Sequence, residues 1–493
     1  MNQHKPAAAA SLSQEGGSFC SQFDPLCGND GGFTEASIRN RLPQILRSMC
    51  SSKCGDAGSQ CNVCKLAGDI ASDKALPILP ARSSQEDEEA DTDTKWRSWI
   101  ADFLHLTWQS APWFVVETYA YRLLLQAVPA ELGDPFRSTK QAALAAARLT
   151  WDEDLAALAA GSVSAAAGSS EEQLLHCKKL LLRSLWGNRA DLSLSGGKVL
   201  TEHLANPHAA TSAHGLLEAG LLCDDSEVAV ELLMSACHSG SAEEGALQSK
   251  GACSSDSTTH ANGVMMFADN AGLELLCDLM LIAWLLQCGA RCVTLALKPS
   301  PILVSDAMRH DLDDTLQWMR EIACSDCASA PSADWLQETL STALQGGRLQ
   351  LLAPQWTVSP LAVWQVDAEL QGTMNSHAVV VFKGDANYRR LLGDRRVPFD
   401  TPTHVALDYL QVPTVALRTA KSGVMCGVPV QTCIQAAVAL QPAAAAELDA
   451  CVEGSGGGWS QPLQSGLTKW DKWLTAGHFG QIQVGGCSGS GSV

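Results

Sequence analysis

The sequence predicts an α/β fold, in which a mostly helical N-terminal part packs on a C-terminal, doubly wound and mainly parallel sheet with Rossmann-like topology. Two observations support this prediction. After residue 263, short apolar runs alternate with helical patterns, as they do in parallel sheets whose strands are joined by helices. Before residue 262, apolar and aromatic residues recur mainly at helical spacing.

The expected segments follow shifts in composition. The first 33 residues are rich in Ala, Ser, Gly and Gln without periodicity, which is typical of disorder. In chain order we expect a disordered tail over 1–33, a helical part over 34–262 with linkers near 80–94, 160–170 and 238–262, an α/β catalytic domain over 263–484, and a flexible tail over 485–493. Acidic, Ala-rich and Ser/Gly-rich stretches mark the linkers.

Helical patterns in the N-terminal part begin near Ser37, Trp96, Ala142, Glu171 and Ser226. The pattern from Trp96 to Tyr121 carries an aromatic stripe, which is typical of a face packed in a core. Five strand candidates follow, at 264–267, 292–297, 349–352, 378–382 and 414–417. Each is a short apolar run, as expected for a parallel strand that is buried on both faces.

Polar residues follow strand-like runs at four places. These clusters are Asp269-Asn270, Ser305-Asp306 after the run 302–304, the segment 383–389, and the segment 418–421. Because the carboxyl ends of parallel strands meet at one edge of a sheet, where ligands bind, we expect the four clusters to converge on one crevice. The alternative for Asp269 and Asn270 is a helix N-cap ahead of the helical pattern that starts at Leu273.

Asp269, Asn270 and Asp306 offer hard oxygen ligands of the kind that Mg²⁺, Mn²⁺ and similar ions prefer. A metal held by three protein ligands keeps positions for a water and a phosphoryl oxygen. The complementary cations expected at this edge are Lys383, Arg389, Arg418 and Lys421. Fixed cations stabilise the charge that phosphoryl transfer develops, so the pattern indicates a phosphatase site. For each basic residue, a salt bridge at a loop end is the alternative.

Charge and hydropathy argue against several partners. The formal net charge of −19 disfavours nucleic acid and anionic membrane surfaces, because both are bound by clustered Lys and Arg. The most apolar window, 273–286, is interrupted by Glu274 and Asp278 and is shorter than the roughly 20 residues of a membrane span. Residues 1–10 lack the apolar core of a signal peptide, so we expect a cytoplasmic protein, with an organellar transit peptide as the alternative.

The 19 cysteines are interpreted as reduced thiols in a cytosolic chain. One cluster, Cys50-x3-Cys54-x6-Cys61-x2-Cys64, has ligand-like spacing for a structural zinc, but its inner gap is short for a zinc finger. We therefore expect these four thiols to be dispensable. The three histidines His203, His208 and His214 fit no helical face, and no metal site is assigned to them.

Short motifs along most of the chain match one known family. They lie at 41–46, 112–117, 184–189 with 191–195, 269–272, 304–306, 383–389 and 418–421. On these motifs, within about residues 36 to 480, the sequence resembles the metal-dependent damage-control phosphatases. The matching branch carries an Arg-Thr-x-Lys motif, and its members are also described as protein-glutamate methyltransferases. Ala386 replaces a larger apolar residue of the family, and the N-terminal tail and the Ala/Ser-rich insertions are additional.

The resemblance implies a hydrolase, a damage-control phosphatase that acts on small sugar phosphates such as fructose 1-phosphate and fructose 6-phosphate. It implies metal ligation by Asp269, Asn270 and Asp306, with Mn²⁺ as the first candidate and Ni²⁺, Co²⁺ or Mg²⁺ as alternatives. Lys421 joins these three as a catalytic residue. The implied substrate-binding residues are Asp269, Asn270, Asp385, Ala386, Asn387, Tyr388, Arg389 and Lys421. The branch motif consists of Arg418, Thr419, Ala420 and Lys421.

Two other functions stay open at this point. A protein-glutamate methyltransferase would bind S-adenosylmethionine near Glu274 and Asp306. This function ranks second, because nucleotide-type cofactors sit on a Gly-rich turn between a strand and a helix, which the segments 454–458 and 485–491 do not provide. A non-catalytic sugar-phosphate sensor ranks third, because the complete set of metal ligands favours turnover.

Overall fold

The computed structural model describes residues 18–53, 61–80, 87–129, 133–188, 220–238, 263–454 and 459–486. Within these residues one sheet contains seven strands: β1 (Leu221–Asp224), β2 (Gly263–Phe267), β3 (Cys292–Ala296), β4 (Leu349–Leu352), β5 (Val379–Lys383), β6 (Thr414–Thr419) and β7 (Gly480–Gly485). The strand order is β1-β7-β6-β5-β2-β3-β4, and every neighbouring pair is parallel except β6 and β7. The predicted, mainly parallel α/β fold is confirmed.

Helices surround this sheet. Those of the N-terminal part are α1 (Gly32–Ala36), α2 (Leu42–Lys53), α3 (Asn62–Ala71), α4 (Asp87–Ile100), α5 (Trp113–Ala127), α6 (Arg137–Ala146), α7 (Arg148–Thr150), α8 (Ala156–Ala166), α9 (Ser170–Gly187) and α10 (Ser226–His238). Two π-helical stretches, Ser37–Arg41 and Trp151–Leu155, connect α1 to α2 and α7 to α8.

The helices that follow β2 complete the fold. They are α11 (Leu273–Gln287), α12 (Arg309–Ala323), α13 (Ala330–Gln345), α14 (Ala368–Asn375), α15 (Gly384–Leu391), α16 (Thr403–Ala406), α17 (Val430–Leu440), α18 (Ala445–Gly454), α19 (Gln461–Lys469) and α20 (Lys472–Thr475). None of the helices in the described ranges has the length and apolar character that a membrane crossing requires.

Side chains of the central strand β2 alternate between the two faces of the sheet. Val264 and Met266 pack in a core with helices α9 and α11, whereas Met265 and Phe267 pack in a core with the aromatic residues of α4 and α5. Because both faces are covered, β2 is apolar throughout its length. N-terminal helices contribute to both cores, so the predicted packing of a helical part on the sheet is confirmed.

The chain reverses its winding direction at β2. From β2 it proceeds to β3 and β4 on one side of the sheet, and then returns to form β5 and β6 on the other side. Phe267 pairs with Phe382, so the carboxyl ends of β2 and β5 lie side by side. A crevice forms outside the carboxyl ends of strands at such a reversal, and it is the usual place for a ligand in this class of sheet.

All five predicted strands form, but β1 and β7 are not among the strands predicted from the sequence. Strand β1 has only four residues, and β7 contains two glutamines and two glycines, so neither makes an apolar run. The glutamines are buried because they serve as polar partners: Gln481 accepts a hydrogen bond from Arg418, and Gln483 accepts one from Tyr388.

Several segments have more regular structure than their sequence predicts. Residues Phe19–Gln22 and Gly28–Asp30 form 3-10 turns, and Cys20 and Leu26 are buried in the core, so regular structure begins well before residue 34. Helix α8 runs into the expected linker 160–170, because alanine favours the helix and Ala159 packs in the core. Helix α4 likewise begins inside the expected linker 80–94.

Other expectations fall outside the described residues. These are the expectations for His203, His208, His214, Cys54, the side chain of Cys50 and residues 239–262. Of the four-cysteine cluster, Cys61 and Cys64 are described. The Sγ atom of Cys61 accepts a hydrogen bond from the backbone N–H of Cys64 at 3.3 Å and caps the start of α3.

Candidate active site

The loops that follow β2 and β3 are joined directly beside the crevice. Asn270 and Asp306 form an isolated antiparallel bridge. The backbone N–H of Ala307 donates to the carbonyl of Asp269 at 2.7 Å, and that of Ala271 donates to the carbonyl of Ser305 at 2.7 Å. The three predicted metal ligands therefore lie together, although Asp306 follows Asn270 by 36 positions in the chain.

The segment that leads to Asp306 is strand-like in sequence but does not form a strand. Residues 303–305 form a turn, in which Leu303 and Val304 have φ angles of +52° and +69°. Non-glycine residues rarely adopt this left-handed conformation, and it costs on the order of 1–3 kcal/mol per residue. The run is apolar because Ile302, Leu303 and Val304 pack in the core, and not because it forms a ladder.

A close backbone approach brings the end of β5 to Asp269. Gly384 begins α15 with a φ angle of +83°, and a Cβ atom at this position would overlap the Asp269 carboxylate. Only glycine allows both the backbone conformation and the short approach. The carboxylate after β2 and the first turn of α15 are thereby fixed against each other.

The Gly384→Ala substitution should therefore lower both stability and activity. The left-handed conformation alone costs about 1–3 kcal/mol for alanine, and the new methyl group must displace the Asp269 carboxylate. The measurements are a thermal melt and metal-dependent phosphate release. Gly372→Ala on α14 is the matched control, because its Cβ meets no atom within 4 Å and alanine favours a helix. Normal activity of the Gly384 variant would show that Asp269 tolerates displacement.

Asn188, at the end of α9, connects the Arg-Thr-x-Lys motif to the predicted metal ligands. Its Nδ2 donates to Asp269 Oδ2 at 2.8 Å and to Glu274 Oε2 at 2.5 Å. Its side-chain oxygen accepts from the hydroxyl of Thr419, and its backbone carbonyl accepts from Lys421 Nζ at 2.5 Å. One asparagine thus orients both a carboxylate and a lysine of the crevice.

A buried ionic cluster lies next to Asn188 and includes its acceptor Glu274. Lys383 Nζ lies 3.2 Å from both Glu274 Oε1 and Asp278 Oδ1, and all three side chains are buried. Burial raises the pKa of Asp278 to about 7, against the opposing effect of Lys383. Burial opposes the charge of Lys383, but Asp278 and Glu274 raise its pKa above the ordinary value. Lys383 is therefore an internal counter-ion, and the expectation that it faces the ligand is corrected.

Arg418 is also internal and acts on the crevice through Asp385. Its Nε donates to Asp385 Oδ1 at 2.7 Å, and its guanidinium lies 4.4 Å from the centre of the Tyr388 ring. Ser422 and the backbone N–H of Lys421 donate to the same Asp385 oxygen at 3.1 and 3.2 Å. The side chain of Arg418 is fully buried and does not reach the crevice lining itself. It orients the Asp385 carboxylate, which does.

The crevice is a cleft of about 430 Å³, counted to its open mouth. Its lining contains seven ionisable side chains, Arg41, Glu117, Asp269, Asp306, Asp385, Arg389 and Lys421, together with Trp113, Asn270, Leu303 and Ala386. Seven predicted site residues line it: Asp269, Asn270, Asp306, Asp385, Ala386, Arg389 and Lys421. Four more predicted site residues, Asn387, Tyr388, Thr419 and Ala420, lie beneath this surface, and Asn387 donates to the carbonyls of Ala268 and Lys383.

The helical part supplies one wall of the cleft, and its residues were not among the predicted site residues. Glu117 accepts hydrogen bonds from Arg41 and from Arg389, each at 2.7 Å, and Arg389 also donates to Asp394 at 2.7 Å. The Arg389 guanidinium stacks 3.8 Å from the centre of the Trp113 ring. Although burial opposes it, Asp394 and Glu117 raise the pKa of Arg389 above its ordinary value. The sequence did contain one indication of a role for Glu117, because an acidic residue within a buried aromatic stripe needs a polar partner.

The cleft carries both signs of charge. Four carboxylates, from Glu117, Asp269, Asp306 and Asp385, face three cations on its lining. The oxygen donors of Asp269, Asn270 and Asp306 suit a hard divalent ion, so the chemistry of the donor set fits a metal. With such an ion the lining becomes net positive and suits a phosphate dianion.

A second acidic group lies at metal-binding distances elsewhere in the described part of the chain. Ligand atoms of Asp134, His310 and Asp311 lie within 4.8 Å of one another. The ammonium group of Lys140, however, lies 2.8 Å from Asp134 and 2.9 Å from Asp311. Burial opposes ionisation of Asp134, but hydrogen bonds from His310 and Lys140 and the Lys140 charge lower its pKa to about 2. Lys140 therefore already neutralises the carboxylates of Asp134 and Asp311 in the place where a metal ion would do so.

The chain is an α/β protein whose cleft combines oxygen donors with fixed cations. The family model described as "Damage-control phosphatase ARMT1-like domain" matches residues 58–433, and the chain belongs to this family. Membership supports a phosphatase with a metabolite-repair role.

Curated relatives match over most of the chain. Damage-control phosphatase ARMT1 of Bos taurus is 28% identical over 492 residues, which cover 92% of this chain and 97% of the relative. The Homo sapiens protein of the same name is 28% identical and covers 82% and 91%. A solved DUF89 family protein from Pyrococcus horikoshii aligns with a TM-score of 0.40 at 14% identity, over 81% of this chain and 96% of that chain.

Proposed function

We propose that this protein is a metal-dependent phosphatase of small phosphorylated sugars, with fructose 1-phosphate and fructose 6-phosphate as first candidates. One observation carries the proposal: a single cleft combines Asp269, Asn270 and Asp306 with Arg41, Arg389 and Lys421. The first set suits a divalent metal, and the second suits phosphate oxygens. The family and the names of the relatives support phosphatase activity.

Asp269, Asn270 and Asp306 would hold the ion, with Mn²⁺ as the first candidate and Ni²⁺, Co²⁺ or Mg²⁺ as alternatives. When bound, a divalent ion supplies Lewis-acid polarisation of the phosphoryl group and makes the attacking water more acidic. Asn188 and Asn270 each donate to Asp269 Oδ2, at 2.8 and 3.0 Å, and so fix the orientation of this carboxylate.

The other lining residues would bind the phosphate and the sugar. Lys421 and Arg389 neutralise phosphate oxygens, because both are positively charged and both reach the cleft. Arg41 and Glu117 offer planar polar groups on the same cleft lining as Trp113, a combination that suits sugar hydroxyls and the apolar face of a sugar. The fixed Asp385 carboxylate offers a further acceptor for a hydroxyl group.

Lys421→Ala should lower kcat/KM by about 10²- to 10³-fold, as expected for the loss of one fixed group that stabilises developing charge. Binding of Mn²⁺ should not be weakened, because the lysine contacts the Asn188 carbonyl and is not one of the oxygen donors. Steady-state kinetics and a metal titration measure the two effects. Lys469→Ala is the control, since this lysine pairs with Glu447 on the surface. Unchanged kinetics of the Lys421 variant would leave this lysine without a role in turnover.

A phosphate-release screen over sugar phosphates, run with each of the four metals, tests the proposed function. We expect turnover of at least one hexose phosphate that requires a divalent ion. Absence of turnover with every metal and substrate, for a folded protein that binds sugar phosphate, would favour the sensor.

The methyltransferase alternative gains no support from the position of Glu274. This residue is 1% exposed, and it accepts hydrogen bonds from Asn188 and Asn270 while it pairs with Lys383. These contacts are the ones expected of a carboxylate that orients the predicted metal ligands. The alternative remains open to the assay described in the Discussion.

A further inference from the structure

Lys140 is a buried lysine that reaches from the helical part to the candidate metal site. It lies on α6 and is 2% exposed. Its Nζ donates to the backbone carbonyl of Asp306 at 2.7 Å and to Asp311 Oδ2 at 2.9 Å, and it lies 2.8 Å from Asp134 Oδ2. An ammonium group has three N–H donors, so these acceptors satisfy all of them.

The two carboxylates that hold Lys140 are themselves fixed. Asp134 accepts from the backbone N–H of Phe136 at 2.8 Å and contacts His310 Nε2 at 3.1 Å. Asp311 Oδ2 accepts from the backbone N–H of Met308 at 2.8 Å, at the start of α12. Two fixed carboxylates therefore determine the position of the ammonium group that donates to Asp306.

The backbone around Asp306 needs such an anchor. The two residues Leu303 and Val304, just before it, hold left-handed conformations that the surrounding structure must enforce. Lys298 holds the side chain, since its Nζ lies 3.2 Å from Asp306 Oδ2 and donates to the Ala268 carbonyl at 2.8 Å. Lys140, on helix α6, holds the backbone carbonyl of Asp306.

We propose that Lys140 is a positioning residue for the metal ligand Asp306, and that the Asp134–His310–Asp311 group is the support of this lysine and not a second metal site. The proposal rests on the proposed function only in taking Asp306 as a metal ligand. Removal of the lysine should release the carbonyl of Asp306 and relax the turn, and the carboxylate should lose its fixed direction.

Lys140→Met tests the proposal, with Arg137→Ala on the same helix as the matched control. Arg137 pairs with Asp314 of α12 at 2.9 Å but is exposed and does not contact Asp306. We expect Lys140→Met to weaken Mn²⁺ binding by about 10- to 100-fold, as for other residues that orient metal ligands. Loss of a nearby positive charge would by itself tighten cation binding, so the expected sign separates positioning from electrostatics. Unchanged or tighter binding overturns the proposal.

A charge-neutral double variant, Lys140→Met with Asp311→Asn, covers the case in which the single variant does not fold. It removes one positive and one negative charge, and Asp134 keeps its partners Phe136 and His310. We expect weakened Mn²⁺ binding together with faster hydrogen exchange at residues 303–308 in metal-free protein. Wild-type metal affinity in a folded double variant would reduce Lys140 to a structural role.

Metal stoichiometry supplies a further outcome. We expect Asp311→Asn to leave the number of bound Mn²⁺ ions per chain unchanged. A stoichiometry of two that falls to one in this variant would make the Asp134–His310–Asp311 group a metal site and overturn the proposal. Both the metal titration and the exchange measurement are independent of turnover, so they stand even if no sugar phosphate is hydrolysed.

Discussion

Asp269→Ala is expected to abolish metal-dependent phosphate release, with a loss of at least about 10³-fold in kcat/KM. Asp269 supplies a carboxylate to the proposed metal, and the charge stabilisation that a bound metal provides is several kcal/mol, which corresponds to a factor of this size. Asp306→Ala should have the same effect. Phosphate release and Mn²⁺ titration calorimetry measure the two losses.

The Asp269 variant should nevertheless fold. The amides of Asn188 and Asn270, which donate to Asp269, also donate to Glu274 Oε2 at 2.5 and 2.7 Å, so both keep a partner. A stability cost of about 1–3 kcal/mol is expected for the loss of this buried acceptor. Asp313→Ala is the control, because this carboxylate pairs with Arg309 at the surface. Turnover that survives in folded Asp269→Ala would contradict the assignment of the metal ligands.

The positions of the central strands and the convergence of the site could be predicted from the sequence. Strands β2 and β5 are buried on both faces, and burial imposes the apolar runs by which they were found. Asp269 and Asp385 follow these strands, and parallel strands deliver their ends to one edge. Local pattern and one topological rule were sufficient here.

Contacts between distant segments could not be predicted in this way. Asn188 reaches Asp269 across 81 positions, and Lys140 reaches Asp306 across 166. No periodicity marks such residues, because a single polar side chain at the end or on one face of a helix is also typical of the surface. The charges of Lys383 and Arg418 were noticed, but their direction depends on buried partners that the chain supplies from other elements.

The apolar run 302–304 shows why hydrophobicity alone did not determine secondary structure. A packed turn and a packed strand bury the same side chains, and only the φ angles of Leu303 and Val304 distinguish them. The same loop carries Asp306, which pairs with Asn270 as the sequence predicts. The secondary structure expected of the run was therefore wrong, although the position of the residue that follows it was right.

Removal of divalent metal is expected to abolish hydrolysis of fructose 1-phosphate reversibly. Without an ion, four carboxylates face three cations on the lining of the cleft, and a phosphate dianion is repelled by the excess negative charge. One preparation is assayed with chelator, and then again after Mn²⁺ is restored, while a thermal melt confirms that the metal-free protein stays folded. The Asp269→Ala variant is the matched control for the thermal melt, since chelator should not shift the melting temperature of a protein that holds no metal.

The same preparation should be assayed in parallel with S-adenosylmethionine and a protein acceptor, with and without chelator. A sulfonium cofactor is cationic and gains nothing from Arg389 and Lys421, whereas a phosphate is stabilised by both. We therefore expect sugar-phosphate hydrolysis that depends on metal, and no comparable methyl transfer. If methyl transfer persists in chelator and requires Glu274, while no sugar phosphate is hydrolysed with Mn²⁺, Ni²⁺, Co²⁺ or Mg²⁺, the phosphatase proposal is wrong and the methyltransferase alternative replaces it.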